Sequence, residues 1–239
     1  MKPVALFFHN YYGDHEHWLR FFAQQLEVPF YLFYHVVGDS VYNLREPLPA
    51  GHGKELIVRR SPNRGKDIGG KLILLDAYMR LGIDCDYMIF LHDKKSPYAL
   101  QNQEWKEKLF GILEPAFVDK TLAHFAANDK TGIVTGSVSI RDEYDYTAET
   151  FVSRNAPLLP ALQETYGITP ARYLYAAGTM FWARALPVLD FFRRYAPLDI
   201  RDTLETGNVL DHEQGSQTHS WERLLSWLII AQGYDIKGF

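Results

Sequence analysis

Residues 87–93 read Tyr-Met-Ile-Phe-Leu-His-Asp. A short, unbroken apolar run of this kind is what a strand covered on both faces requires, as at the centre of a parallel sheet. The run stops at a histidine and an aspartate, so Asp93 stands where a buried strand emerges.

The same pattern repeats outward in both directions. Val4 to Phe8 reads as a buried first strand ending at His9-Asn10-Tyr11-Tyr12-Gly13. Trp18 to Leu26 has helical spacing, with Phe21, Phe22 and Leu26 inward. Phe30 to Val37 and Glu55 to Arg59 are strand-like, with Pro47 and Pro49 marking a loop between them. Gly70 to Leu81 reads as a helix, apolar on most sides and therefore buried. Further on, Glu104 to Leu113 pairs an apolar stripe with a charged face. Gly132 to Thr135 and Tyr173 to Ala183 read as strands, and Leu186 to Tyr195 as a helix. Thr218 to Gln232 is the clearest amphipathic helix. Strand and helix in alternation predict an α/β fold, its central sheet mostly parallel and flanked by crossover helices. No repeat or long linker interrupts the chain, so residues 1–239 are expected to form one domain.

Bulk properties narrow the function. With 47% hydrophobic residues the chain can bury a large core, and the 15% aromatic share supplies flat walls suited to sugars and bases. A net charge of −4 and a pI near 6.1 argue against a nucleic-acid partner. The single cysteine, Cys85, excludes an internal disulfide and fits a reducing compartment. The start of the chain lacks the features of a secretory signal, and no stretch is long and apolar enough to span a bilayer. The expectation is a soluble, cytoplasmic protein, with peripheral contact at the inner face of the cell membrane left open.

Ligands of open α/β sheets bind beyond the carboxyl ends of the strands, which directs attention to the loops. In NRGKDIGG (63–70), Gly69 and Gly70 are expected just before a helix, where backbone N–H groups attract anions. Arg64 and Lys66 would add cations, although no Walker loop is present. Asp67 would repel a phosphate and suits a ribose or a base N–H instead. An ordinary helix start with Asp67 as its cap is the plainer alternative.

In HDKKSPY (92–98), Asp93 could ligate a metal on a diphosphate or accept from a sugar hydroxyl. Lys94 and Lys95 could instead neutralise the diphosphate without metal; the plainer alternative is a polar turn. Gly178, inside YAAGTMFWAR (175–184), marks a bulge, a ligand's approach or tight packing. In DHEQGSQTHSWER (211–223), His219, Glu222 and Arg223 share a helix face with Ser226. A carboxylate there, Glu213 or Glu222, could be a general base, or Glu222 and Arg223 could form a surface pair. His9, His15 and His17 lack the spacing of a helical zinc site.

As a set, VALFFHNYY, NRGKDIGG, YDYMIFLHDKKSPY, AAGTMFWAR and the closing His219-x-x-Glu222-Arg223 resemble the rhamnan synthesis protein F family over nearly the whole chain. The resemblance implies an A-type, Rossmann-like glycosyltransferase fold, with a nucleotide-sugar-binding half at about 1–100 and an acceptor-side half at about 101–239. It implies that His9, Asn10 and Tyr12, with Asn63, Arg64, Lys66, Asp67, Gly69 and Gly70, hold the donor nucleoside and its phosphates. His92, Lys94, Lys95, Gly178, His219 and Arg223 complete the implied donor site. Asp93 falls where an Asp-x-Asp motif would grip a metal, yet lysines replace the second carboxylate. That departure tilts the reading away from a required Mg²⁺ or Mn²⁺ ion, with Asp93 the candidate ligand if one binds.

The expected reaction is inverting transfer of a deoxysugar, rhamnose from dTDP-rhamnose, to a hydroxyl of a growing, lipid-linked or free cell-surface glycan such as an O-antigen. Glu213 is the favoured base over Glu222. The rival is a non-catalytic carbohydrate- or nucleotide-binding module of a polysaccharide assembly system. A phosphotransferase is disfavoured by the lack of a kinase loop or nucleophile motif.

Overall fold

The computed structural model describes residues 2–38, 48–93, 109–209 and 214–239. Seven strands form the central sheet, in the order β11-β5-β10-β4-β1-β2-β3. They are β1 (Val4–Asn10), β2 (Phe30–Val37), β3 (Gly53–Ser61), β4 (Tyr87–His92), β5 (Thr131–Thr135), β10 (Phe181–Arg184) and β11 (Asp235–Gly238). All neighbours run parallel except β10, which is antiparallel to both β4 and β5. This is an α/β architecture with a mostly parallel central sheet flanked by helices, compatible with the expected Rossmann-like glycosyltransferase fold.

β1 is buried along its whole length because both faces are covered. Ala5 and Phe7 point to one layer, with helices α2 (Lys66–Leu81), α5 (Ala185–Phe192) and α7 (Gln217–Ile230). Val4, Leu6 and Phe8 point to the other, with α1 (His15–Gln25) and α3 (Pro115–Ala127). The period of two along the strand therefore builds two cores from one segment.

The winding positions the site. After β1 the chain proceeds outward to β2 and β3, then returns through α2 to place β4 on the opposite side of β1. Strand order thus reverses between β1 and β4, where two successive crossovers diverge and leave a crevice. His9 and His92 face each other in register at that point.

Several expectations change. Tyr173 to Ala183 is two strands: β9 (Leu174–Ala176) pairs with β6 (Ile140–Asp142) outside the main sheet, and β10 joins the main sheet. The break falls at Gly178 and Thr179, whose φ values of +80° and +52° end any extended run. NRGKDIGG enters its helix earlier than expected: Gly65 is the left-handed N-cap at φ +72°, and Gly69 and Gly70 lie inside α2. Asp67 is consequently a first-turn residue and makes no cap hydrogen bond. Helix α7 is covered almost all round, and only Gln217, His219 and Glu222 keep partial exposure. The helices α3, α4 (Leu159–Tyr166) and α6 (Pro197–Asp202) were not anticipated, nor was β11. Of the stretch Glu104 to Leu113, residues 104–108 lie outside the described residues, and Gly111–Leu113 is a 3₁₀ turn.

Candidate active site

A cavity of about 440 Å³ opens beyond the carboxyl ends of β1 and β4. Its floor is His9, His92 and Asp93; Lys66, Asp67 and Ile68 come from the start of α2. Gly178 and Thr179 arrive from the β9–β10 turn, and Thr218, His219 and Glu222 from the start of α7. Tyr11, Tyr12 and Asn208 complete the rim. Segments more than a hundred residues apart in sequence thus meet at the strand-order reversal.

Asp93 fixes the loop after β1. Its Oδ1 accepts the N–H of Tyr11 at 2.9 Å, and its Oδ2 that of Tyr12 at 2.7 Å. Asn10 serves the same loop: its Oδ1 accepts the N–H of Gly13 at 2.8 Å, while its amide donates to the Tyr34 hydroxyl. The loop thereby presents Tyr11 and Tyr12, ring edge to ring face at 5.0 Å, at the mouth of the cavity. Such rings suit a sugar or a base.

Behind the opposite wall lies a cation that sequence reasoning missed. Lys71 has no solvent exposure, and its Nζ donates to Asp67 Oδ2 at 2.8 Å, to the Thr179 carbonyl at 2.9 Å and to the Thr179 hydroxyl. Thr179 Oγ1 also donates to Asp67 Oδ2 at 2.6 Å, and His92 Nδ1 lies 3.5 Å from the same oxygen. Burial alone would push the Asp67 carboxyl up, but Lys71, His92 and Thr179 together hold it well below the usual carboxylate range. Burial pulls Lys71 down from its ordinary value while Asp67 opposes the change. The pair ties α2 to the left-handed turn at Thr179.

The far wall is held by an acid–base chain. Glu222 Oε1 accepts the Gly178 N–H at 2.7 Å, and its Oε2 receives Arg223 Nη1 at 2.9 Å. Arg223 also donates to the buried Glu143 at 3.0 Å and lies over the Tyr175 ring, 4.7 Å from its centre. The Glu222–Arg223 pair is therefore partly buried and faces the cavity instead of bulk solvent. His219 Nδ1 lies 2.6 Å from Ser216 Oγ, the hydroxyl that caps α7. Glu205 caps the same helix start by accepting from the N–H groups of Gln217 and Thr218, and these bonds outweigh burial and hold its carboxyl below the usual range.

Of the anticipated residues, His9, Tyr12, Lys66, Asp67, His92, Asp93, Gly178, His219 and Glu222 line this cavity. Asn10 and Arg223 stand directly behind it. Asn63 and Arg64 lie to one side: Asn63 donates to Asn208 Oδ1, and Arg64 donates to the Asp202 carbonyl at 2.7 Å. Gly69 and Gly70 admit neighbouring protein instead of a ligand, since a Cβ on Gly69 would lie 1.7 Å from the Arg64 carbonyl oxygen and one on Gly70 2.0 Å from His9 Nδ1. Lys94, Lys95 and Glu213 lie outside the described residues. Lys71, Thr179, Tyr11, Thr218, Ile68 and Asn208 are the lining or supporting residues that sequence reasoning missed. A lysine in the middle of an apolar helical stretch was the available signal for Lys71.

Charge in the described lining is not predominantly positive. Asp67, Asp93 and Glu222 face Lys66, with Lys71 and Arg223 compensating from behind. Among the described residues no three His, Cys, Asp or Glu side chains are placed to hold a metal ion, and both Asp93 oxygens already accept backbone N–H groups.

A cleft at the reversal point of a mostly parallel sheet, walled by tyrosines, hydroxyls and carboxylates, lies where open α/β sheets bind their ligands. The chain belongs to the rhamnan synthesis protein F family, whose family model matches residues 1–234, and so to polysaccharide synthesis. No curated protein and no solved structure matches it. Among the described residues no helix is long and apolar enough to cross a membrane.

Proposed function

We propose that this protein is a glycosyltransferase that moves rhamnose from dTDP-rhamnose to a hydroxyl of a growing cell-surface polysaccharide, with inversion at the anomeric carbon. The observation that carries the reading is the placement of a cavity at the β1–β4 reversal, with the rings of Tyr11 and Tyr12 at its mouth and Glu222 in its wall. Membership in a rhamnan synthesis family supports both sugar and product class.

In this reading Tyr11 and Tyr12 stack on the nucleoside or sugar, and Asp67 accepts from hydroxyl groups. A carboxylate takes the proton of the acceptor hydroxyl as its oxygen forms the bond to the anomeric carbon, and the bond from that carbon to the diphosphate breaks. Glu222 is the candidate base in the described cavity, and Glu213, which precedes α7 in sequence, remains the other candidate. Lys66 and His219 face the departing negative charge, with Lys94 and Lys95 following Asp93 in sequence. If Mg²⁺ or Mn²⁺ binds, Asp93 is the residue to hold it, beside donor oxygens. No step above depends on it. An acceptor carried on a lipid would bring the protein to the inner face of the cell membrane as a peripheral partner.

One observation favours the rival binding module: both Glu222 oxygens already have partners. Incubating the protein with dTDP-rhamnose and a rhamnan acceptor, with and without Mg²⁺ or Mn²⁺, separates the two. Release of dTDP in step with acceptor extension is the expected result; tight donor binding with no dTDP release under either condition overturns the transferase.

A further inference from the structure

The floor of the cavity rests on a chain of hydrogen bonds that leads away from the site. His9 Nδ1 and His35 Nδ1 are 2.9 Å apart, the two buried rings lying nearly parallel at 16° with their centres 4.9 Å apart. Beyond them, His35 Nε2 lies 2.9 Å from Ser61 Oγ. Ser61 Oγ lies 2.9 Å from the Pro62 carbonyl oxygen and 3.1 Å from Arg201 Nη2, which also donates to the Pro62 carbonyl at 3.0 Å.

Counting hydrogens along this chain fixes its direction. Arg201 only donates, and the Pro62 carbonyl only accepts. Ser61 has a single hydrogen, and the Pro62 carbonyl takes it. His35 Nε2 must then donate to Ser61 Oγ, which leaves His35 Nδ1 as an acceptor, and His9 Nδ1 must supply the hydrogen between the rings. The reverse order, with Ser61 donating to His35, forfeits the Ser61–Pro62 bond and makes one hydrogen bond fewer.

From this count we infer that His9 presents a bare Nε2 lone pair to the cavity, held in that tautomer by His35, Ser61 and Arg201 acting as positioning residues. Burial supports the neutral form: it pulls His9 down to about 3 and His35 well below its ordinary value. A fixed lone pair in a nearly buried position takes an N–H or O–H donor and repels a phosphate oxygen. The ligand group facing His9 is therefore a ribose or sugar hydroxyl or a pyrimidine N–H, not the diphosphate. This last step rests on the nucleotide-sugar reading above. The glycine at position 70 belongs to the same device, because a Cβ there would lie 2.0 Å from His9 Nδ1 and 2.8 Å from His35 Nδ1.

Ring-nitrogen NMR on protein labelled with ¹⁵N-histidine tests the tautomers near neutral pH, with His9→Gln and His35→Gln used for assignment. The expected spectrum has His9 protonated only at Nδ1 and His35 only at Nε2. A hydrogen on His9 Nε2, or a cationic ring at either position, overturns the inference. Ser61→Ala, which leaves every cavity-lining residue in place, should convert His9 to a tautomer mixture and weaken dTDP binding roughly 3- to 10-fold by calorimetry. An unchanged His9 spectrum in a folded Ser61→Ala protein sinks the positioning role. Equal dTDP affinity in the two proteins sinks the ligand contact. Should the wild type bind no dTDP while its tautomers are as stated, the nucleotide-sugar reading fails and the tautomer assignment stands.

Discussion

Lys71 Nζ donates to Asp67 Oδ2 at 2.8 Å, one helical turn away, from a position with no solvent exposure. A buried ammonium of this kind is tolerated only because the carboxylate and the Thr179 oxygens satisfy it. The pair also explains how Thr179 keeps its left-handed backbone, since both its carbonyl and its hydroxyl are engaged.

Removing the cation alone should therefore be costly. Lys71→Met is expected to lower stability by about 3 kcal/mol, the low end for breaking a buried pair, because Asp67 retains 21% exposure. Adding Asp67→Asn should recover a large part of the loss. Urea unfolding at neutral pH measures both. A single variant as stable as the wild type would mean that water at the cavity wall is compensation enough for Asp67.

Glu222 offers a sharper functional test. In Glu222→Gln the amide oxygen can still accept the Gly178 N–H, so the turn should keep its shape while the side chain can no longer take a proton. Donor affinity should stay within about twofold, and transfer should fall by roughly 10²- to 10⁴-fold. Glu213→Gln is the parallel case. Near-normal turnover in both variants would place the base elsewhere.

The frame was legible in the sequence wherever one segment carries its own period. Val4 to Phe8 and Tyr87 to Leu91 are apolar at every position, and only strands covered on both faces need that. The sequence directed attention to the loops beyond the carboxyl ends of the strands; the reversal between β1 and β4 became visible only in the strand order. Illegible features are those that depend on contacts distant in sequence. Nothing local distinguishes Lys71 from a surface lysine except its apolar neighbours, and its partners Asp67 and Thr179 are separated by 112 residues. Gly69 and Gly70 of NRGKDIGG were read as space for a ligand; what fills that space is the imidazole of His9 and the carbonyl of Arg64. Arg223 was expected in the donor site, with a surface pair to Glu222 as the alternative; its buried partner Glu143, 80 positions away, offers no sequence signal.

Asp93 should affect ligand and loop together. Asparagine at this position keeps one acceptor for the N–H groups of Tyr11 and Tyr12 and turns a donor toward the other. Loss of one charge-assisted bond predicts a stability drop of about 2 kcal/mol. Calorimetry should show dTDP-rhamnose affinity reduced about tenfold, as the tyrosine mouth loses its fixed geometry. Unchanged affinity would remove Asp93, and the loop it clamps, from the donor site.

Acid should destabilise the protein early. Burial holds His9 down at about 3 and, with the charges of His9 and Arg201, holds His35 well below its ordinary value. In the unfolded chain both titrate near 6.5. As pH falls below about 6.5 the unfolded state takes up two protons that the folded state refuses. Stability is therefore complete above that pH and declines as pH falls toward 3, by about 1.4 kcal/mol per pH unit for His9, with His35 contributing in the same direction. For His9 alone the loss near pH 5 is about 2 kcal/mol, and His35 adds to it in the same direction. Asp67 and Glu205, whose carboxyls are depressed, add losses only below about 4. Urea midpoints at neutral pH and near pH 5 should differ accordingly, and His35→Gln should reduce the difference. A wild-type midpoint that does not move over this range would contradict the burial of the pair.

The last prediction separates the two glycines of α2. A helix interior ordinarily gains about 1 kcal/mol when glycine becomes alanine, so Gly69→Ala and Gly70→Ala ought to stabilise an isolated helix. Here both should destabilise, by about 1–3 kcal/mol or more, for different reasons. The new methyl at position 70 meets two side chains, His9 and His35, whereas at position 69 it meets the backbone carbonyl of Arg64 at 1.7 Å. A side chain can be cut away, and a carbonyl cannot. His9→Ala should therefore restore part of the stability lost in Gly70→Ala and none of that lost in Gly69→Ala, as read by thermal melting of the four proteins. Equal rescue of both would mean that α2 shifts as a unit, and that the contact between Gly70 and the histidine pair does not set its position.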